Sequence, residues 1–479
     1  MSSGLVLGLL LGYFALLLLI AHFTSRKATT TAFFTANRSA PWYLVAFGMI
    51  GASLSGVTFI SVPGAVRNDS FSYFQMVLGY LPGYAVIAGV LLPLYYRLNL
   101  ISIYGYLEQR FGYWSYKTGA FFFLLSRSFG SAIRLFLAAS VLHIGIFEAW
   151  NIPFALTVVL TILLIWLYTF RGGIKTIVWT DTLQTFFMLL AVLATILMIC
   201  RELQWGWQEL QEAVGAHTYS QVFFWEVNDK KFFWKQFLAG MFTAIAMTGL
   251  DQDMMQKNLT CRSLKEAQKN MFSFSIVLVF VNLFFLLLGV LLYAYAAEKQ
   301  IALPERGDHL YPLLAFQYFP PWLGAIFLVG VIAAAYSSAD SSLTALTTSF
   351  CVDFLDSERR APEVRDRMRR LTHIGFSALF VVIILFFQAL NSQAVISAVF
   401  TIAGYTYGPL LGLYAFGLFT KIPVKDRFVP LICLASPLLC YLLSRYSKIL
   451  LGGYELGFEL LIINGLITFL GLWLCRKVE

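Results

Sequence analysis

The segment Ala333-Ala334-Ala335-Tyr336-Ser337-Ser338-Ala339-Asp340-Ser341-Ser342-Leu343 sets four serine hydroxyls and a carboxylate inside a long apolar run. Ser337 and Ser341 stand four residues apart, so they share one helix face with Ser338 beside them. Hydroxyl and carbonyl oxygens are the ligands that replace the water shell of a hard monovalent cation, and the small Ala334 lets the backbone come close. A competing reading has the serines bonding back to carbonyls of their own helix, or joining one helix to another. Asp340 weighs against it, because a carboxylate in apolar surroundings is costly without a counter-charge or a bound cation.

Two further charges sit where apolar residues are expected. Asp181, in RGGIKTIVWTDTLQTFF, lies about a turn and a half beyond Lys175, so it is either an interfacial acid paired with that lysine or a functional carboxylate. Arg134, in SFGSAIRLFLAASVL, lies roughly 25 Å along a helix counted from Lys117, too deep for easy snorkelling. Its partner is Asp340 or a helix carbonyl on one reading. On the other it is a carboxylate of a bound solute, for which a guanidinium fork has matching geometry.

These residues need elements that hold them in an apolar medium. The chain has 479 residues, 59% hydrophobic and 12% charged, with a mean hydropathy of +0.75. A soluble domain carries about twice that charge. Apolar windows of roughly 20 residues, the length that crosses a bilayer, recur around thirteen centres: Gly12, Ala52, Pro82, Ala132, Leu160, Leu190, Thr243, Val281, Val331, Phe380, Thr406, Leu434 and Gly465. No linker separates them, so a single integral membrane domain is expected. The first window has neither a preceding basic flank nor an A-x-A-like site, and is expected to remain as a helix.

The net charge of +9 follows topology. Alternate loops hold 23 basic residues, from Arg26 and Lys27 through Lys257 and the arginines of DSERRAPEVRDRMRR to Lys477, against 9 in the opposite set. The positive-inside rule puts the richer set in the cytoplasm, the N-terminus outside and the C-terminus inside. Charges dispersed over short loops form no nucleic-acid stripe. The six cysteines make no C-x-x-C pair, which argues against zinc or a disulfide framework.

Two spans look breakable. FGMIGASLSGVTFISVPGAV carries Gly48, Gly51, Gly56, Gly64 and Pro63, and FLAGMFTAIAMTGLDQDMMQ carries Gly240 and Gly249. They open consecutive five-span halves, and paired glycine-interrupted segments point to an inverted-repeat transporter with its site at the midplane. Close helix packing through glycine is the alternative.

At this point the chain resembles a known family, the sodium/solute symporters. GGIKTIVWTDTLQ is similar to that family's GG-x-x-AVxWTDxxQ segment, YLEQRFG to its Y-L-x-x-R-F-G loop, GLDQDMMQKNL to its GTDQ-x-x-x-QR-x-L element with Leu250 and Lys257 departing from Thr and Arg, and YGPLLGLYAFGLF to its GPLLGLF-type helix. The resemblance implies an all-α integral membrane fold of about thirteen helices, a leucine-transporter-like 5+5 inverted repeat with broken first and sixth core helices. The expected divisions are 1–41 (extra helix and loop), 42–231 (first repeat), 232–420 (second repeat) and 421–479 (two final helices).

The resemblance also implies sites. A shared sodium site falls on the carbonyls of Gly51, Leu54 and Ala334 and the hydroxyls of Ser337 and Ser338. A second cation site, nearer the cytoplasm, maps to Asp181 and Ser341, with Asp340 where other members carry a hydroxyl. That carboxylate strengthens the site or takes a proton, so the number of coupled ions stays open. Ser55, Thr58, Gln75 and Arg134 form the expected substrate set, resembling that of the sialic-acid carriers.

The expected function is sodium-coupled import of a small organic solute, sialic acid or another sugar acid, by alternating access. Na+ is the coupling ion, with the solute, sodium and the lipid bilayer as partners, in a monomer of a bacterial inner membrane. The alternatives are a neutral sugar or amino acid with Arg134 structural, or proton coupling. A sensor on this scaffold is expected to append a long cytoplasmic region, whereas RKVE follows the last span. An intramembrane enzyme is disfavoured, since His22, His143, His217, His309 and His373 show no ligand spacing.

Overall fold

The computed structural model describes residues 3–25, 30–390, 395–450, 452, 454 and 456–477. Arg26, Lys27, Val478 and Glu479, named above, lie outside them. The described residues are almost wholly helical, and eight of their helices are individually long and apolar enough to cross a membrane. Shorter apolar helices join them at Gly8–Thr24, Phe154–Thr169, Gly408–Phe419 and Leu460–Leu474. All thirteen expected centres fall within helices. A spanning backbone has no water to bond, so it must satisfy its own N–H and C=O groups, and the helix does so within one segment.

Local sequence explains where these helices begin and break. Pro41, Pro153 and Pro320 stand immediately before Trp42–Asp69, Phe154–Glu202 and Pro321–Ser349. A helix start tolerates proline because its first N–H groups have no intrahelical partner anyway. The helix Tyr113–Leu142 is capped from far away in sequence. The Asp426 carboxylate accepts from the backbone of Trp114 at 2.8 Å and of Ser115 at 2.9 Å, supplying an anion where the helix dipole is positive. Phe154–Glu202 is two spans joined end to end, bent at Gly173 (φ 53°). A Cβ there would lie 2.4 Å from the Phe33 ring, so only glycine fits.

The two expected broken helices are broken. Trp42–Asp69 changes direction at Ser55 (φ 40°, ψ 172°). Phe233–Ala244 widens into a π-helical turn, Ile245–Gly249, then gives way to extended backbone at Asp251 before resuming as Gln252–Asn258. The break falls past the glycines, and Asp251 closes it by accepting from the N–H groups of Asp253 (3.0 Å) and Met254 (3.2 Å).

The basic loops meet at one end of the bundle, where Arg110 donates to the carbonyls of Gly417 (3.2 Å), Thr420 (2.8 Å) and Ile422 (3.1 Å). At the opposite end Phe71 bonds to Gln221 (3.0 Å), and Gly64 packs directly against Gly307. One reading made from loop position fails here. Lys257, counted above with the loop cations, is 1% exposed inside the bundle.

Candidate functional site

The break at Ser55 opens a cavity of about 80 Å³ in the middle of the bundle. Ser55, Thr58, Arg134, Tyr73, Thr248 and Asn282 are among its walls, and Leu54 lines it next to the break. A non-glycine residue at positive φ is strained and persists only when its surroundings fix it. Ser55 and Leu54 are both 2% exposed. Arg134 is half-buried, and among the described residues no hydrogen bond or ion pair engages its guanidinium. Neither Asp340 nor a helix carbonyl serves as its partner.

Tyr73 and Phe400 line both this cavity and a larger vestibule of about 550 Å³ that opens at the end opposite the basic loops. Gln75 stands apart from both. Its amide donates to the carbonyls of Lys231 (2.8 Å) and Ser72 (3.3 Å) and accepts from Phe224 N–H (3.2 Å), tying a helix to a loop.

The serine-rich stretch lies fully buried in Pro321–Ser349, which packs on the first broken helix. A Cβ built on Gly56 would stand 3.7 Å from the Ala335 methyl. Gly51 needs its missing side chain more acutely, because a Cβ would come within 2.2 Å of Thr185 Oγ1. Its N–H donates to that oxygen at 3.1 Å. Ser337 donates to Ala334 O and Ser338 to Ala335 O, both at 3.2 Å, and Ser341 to Ser337 O at 3.0 Å. Back-bonding of this kind uses the hydroxyl proton and leaves the oxygen lone pairs available. Among the described residues no group of three or more His, Cys, Asp or Glu side chains forms a metal site. Carbonyl and hydroxyl oxygens are the donor set, which suits a weakly bound alkali cation rather than a transition metal.

The carboxylates lie deeper, in a buried charged network. Asp181 pairs with Lys257 at 2.8 Å, not with Lys175. Asp340 accepts from Tyr168 OH (2.9 Å) and from the N–H of Ser341 (2.5 Å). Ser341 Oγ and Ser342 Oγ each stand 3.2 Å from the Asp253 carboxylate. Arg127 binds the same Asp253 carboxylate closely, donates to Ser342 Oγ at 2.9 Å and stands 3.8 Å from Asp251. Tyr407 closes the network with a bond to Asp251. Asp181, Asp340 and Ser341 are thus gathered near one another, each already engaged by the protein.

Arg127, Asp251, Asp253, Lys257 and Tyr407 were not among the expected site residues. The spacing of Arg127, seven residues before Arg134 on one helix, carried a usable signal. The two aspartates lie inside GLDQDMMQKNL, a segment whose resemblance to the family marks its pattern and not the role of its acids.

Comparison with known proteins follows the same lines. The family model described as "Sodium:solute symporter family" matches residues 33–423. The sodium/sialic acid symporter NanT of Aliivibrio fischeri is 24% identical over 411 residues, covering 84% of this chain and 80% of that protein. SiaT of Proteus mirabilis, also a sodium/sialic acid symporter, is 25% identical over 428 residues, with 86% and 84% covered. Sodium-coupled monocarboxylate transporter 2 of Mus musculus is 24% identical over 403 residues, 82% of this chain and 64% of its own. A solved sodium-coupled sialic acid symporter in a substrate-bound, outward-open state superposes over 98% of both chains, with a TM-score of 0.84 and 22% identity. The nucleobase-cation-symport-1 transporter MHP1 in a closed conformation gives 0.54 at 13% identity, with 91% of this chain and 92% of its own covered.

Proposed function

The chain belongs to the sodium:solute symporter family, and from that premise we propose that it imports sialic acid or a related sugar acid together with sodium by alternating access. The family is one of transporters and not of enzymes, and Na+ is its coupling ion. One observation carries the substrate class: Arg134 presents an unpartnered guanidinium to the cavity beside Ser55 and Thr58. A cation partly withdrawn from water without a counter-charge is costly, and a substrate carboxylate bound by the guanidinium fork removes that cost. NanT, SiaT and monocarboxylate transporter 2 carry sialic acid or monocarboxylates, all of them carboxylates.

In this reading sodium enters between the carbonyls of Gly51, Leu54 and Ala334 and the hydroxyls of Ser337 and Ser338. It joins the broken helix to the serine-rich one and holds Ser55 and Thr58 toward the substrate. A ligand shifts such an equilibrium only by its differential affinity for the two states. The cavity of about 80 Å³ has room for only a few waters, so a sugar acid must part Tyr73 from Phe400 to enter from the vestibule. Halves 42–231 and 232–420 then move against each other. With a second sodium ion aboard, the loaded carrier moves one net positive charge, and an inside-negative voltage, worth about 2.3 kcal/mol per charge per 100 mV, then favours its inward movement.

Asp181, Asp340 and Ser341 form the second cation position of this reading, and Lys257 must release Asp181 before a sodium ion takes it. We further assign the protein to a bacterial inner membrane as a monomer, with the basic loops and C-terminus in the cytoplasm and the N-terminus outside.

Uptake into proteoliposomes under an inward sodium gradient tests the reading, with sialic acids, other sugar acids, monocarboxylates, amino acids and neutral sugars offered together. Accumulation confined to acids is expected. Accumulation of a neutral solute in their place would leave Arg134 as scaffolding.

A further inference from the structure

Two arginines face the same region from one helix, and they are in opposite situations. Among the described residues Arg134 has no hydrogen-bond or ion-pair partner. Arg127, two turns and about 10 Å nearer the basic loops, is bound by Asp253 and faces Asp251. Both line the central cavity, and both line a smaller one of about 10 Å³, with Gly130, Ala403 and Tyr407 among its other walls. That space holds about one water molecule. The small cavity extends the large one along the helix toward the basic loops, and Tyr407, bonded to Asp251, forms part of its wall.

We propose that Arg127 is a second carboxylate subsite, on the path by which the carried acid leaves Arg134 for the cytoplasm. The inference rests on the acid-carrier reading above and on its assignment of the basic loops to the cytoplasm. In the present state Asp253 occupies the subsite as a built-in carboxylate. Passage of the substrate exchanges one ion pair for another, the incoming carboxylate replacing Asp253 on Arg127. Asp253 has a cation to turn to, since Lys257 follows it by four residues on the same short helix, Gln252–Asn258. Its other contacts run to Ser341 and Ser342, one turn beyond Ser337 and Ser338. Release of the substrate is thereby mechanically tied to the serine-rich helix that holds sodium. The Tyr407–Asp251 bond is the closure that must part for the passage to widen.

Equilibrium binding of N-acetylneuraminate to the purified full chain in sodium buffer, with counterflow in proteoliposomes, tests this with two variants. Asp253→Asn removes the internal competitor, and binding at least threefold tighter than wild type is expected. Adding Arg127→Gln, which removes both charges of the Arg127–Asp253 pair, is expected to abolish that gain and to cut counterflow at least tenfold. Asp253→Asn binding no tighter than wild type, a gain that survives Arg127→Gln, or wild-type counterflow by the double variant would each overturn the subsite. If the double variant does not fold, the Asp253→Asn comparison decides alone. A wild-type protein that binds no acid overturns the substrate reading and this inference with it. Wild-type binding with unimpaired counterflow by the double variant overturns this inference only.

Discussion

At the scale of single residues, the account turns on which buried charges have partners. Arg134 has none among the described residues, so its replacement should act on the ligand. Arg134→Lys keeps the charge but loses the fork, and a hydrogen bond to a charged group is worth about 1.5–3 kcal/mol. Affinity for the acid should fall about 10- to 100-fold, measured by radioligand binding, while uptake of any neutral solute stays unchanged. Lys257 has a partner, so its replacement should act on the fold. Lys257→Met leaves Asp181 charged and uncompensated, at a cost of about 3–5 kcal/mol. Thermal unfolding should show that loss, and adding Asp181→Asn should recover most of it. The sequence made Asp181, Asp340 and Arg134 conspicuous because each interrupts an apolar run. Lys257 was not conspicuous, because it follows the apolar part of its span and reads as the first loop cation. Arg127 was hidden differently. Its partner Asp253 is 126 residues away, and only the tertiary arrangement joins them.

At the scale of elements, glycine-rich composition pointed to the two helices that break but not to the positions of the breaks. Gly51 serves close packing on Thr185, and the chain turns at Ser55 instead. In the other helix Gly249 belongs to a π-helical turn and the extended residue is Asp251, whose side chain caps the next segment. Composition reports that a helix is breakable, whereas packing and capping partners choose the residue. The serine-rich helix gives a direct test of its assigned role. Ser338→Ala removes one hydroxyl ligand and no buried charge. The sodium concentration for half-maximal uptake should rise about tenfold, corresponding to about 1.4 kcal/mol for one oxygen ligand, with little change in melting temperature without sodium. An unchanged sodium requirement would mean that this hydroxyl only bonds back to its own helix.

At the scale of the whole molecule, the thirteen spans and their order were readable because bilayer physics permits so few solutions: length and apolarity fix most of the layout. The state of the transporter was not readable. That depends on how the cavity, the vestibule and the charged network are closed off from one another, and each closure joins residues from distant helices. Here Tyr73 and Phe400 are walls of both the vestibule and the cavity, while the Arg127–Asp253 and Tyr407–Asp251 contacts lie toward the basic loops. A cysteine placed at Thr401, exposed on the vestibule wall, should therefore react with an impermeant maleimide added outside. Saturating substrate with sodium should slow that labelling severalfold as the halves move. The most direct test of the central claim is calorimetric titration of the purified protein with N-acetylneuraminate in sodium and in potassium buffer. The account predicts saturable binding in sodium that is lost in potassium and lost again in Arg134→Gln. Equal binding in both salts, or full binding by Arg134→Gln, would contradict it.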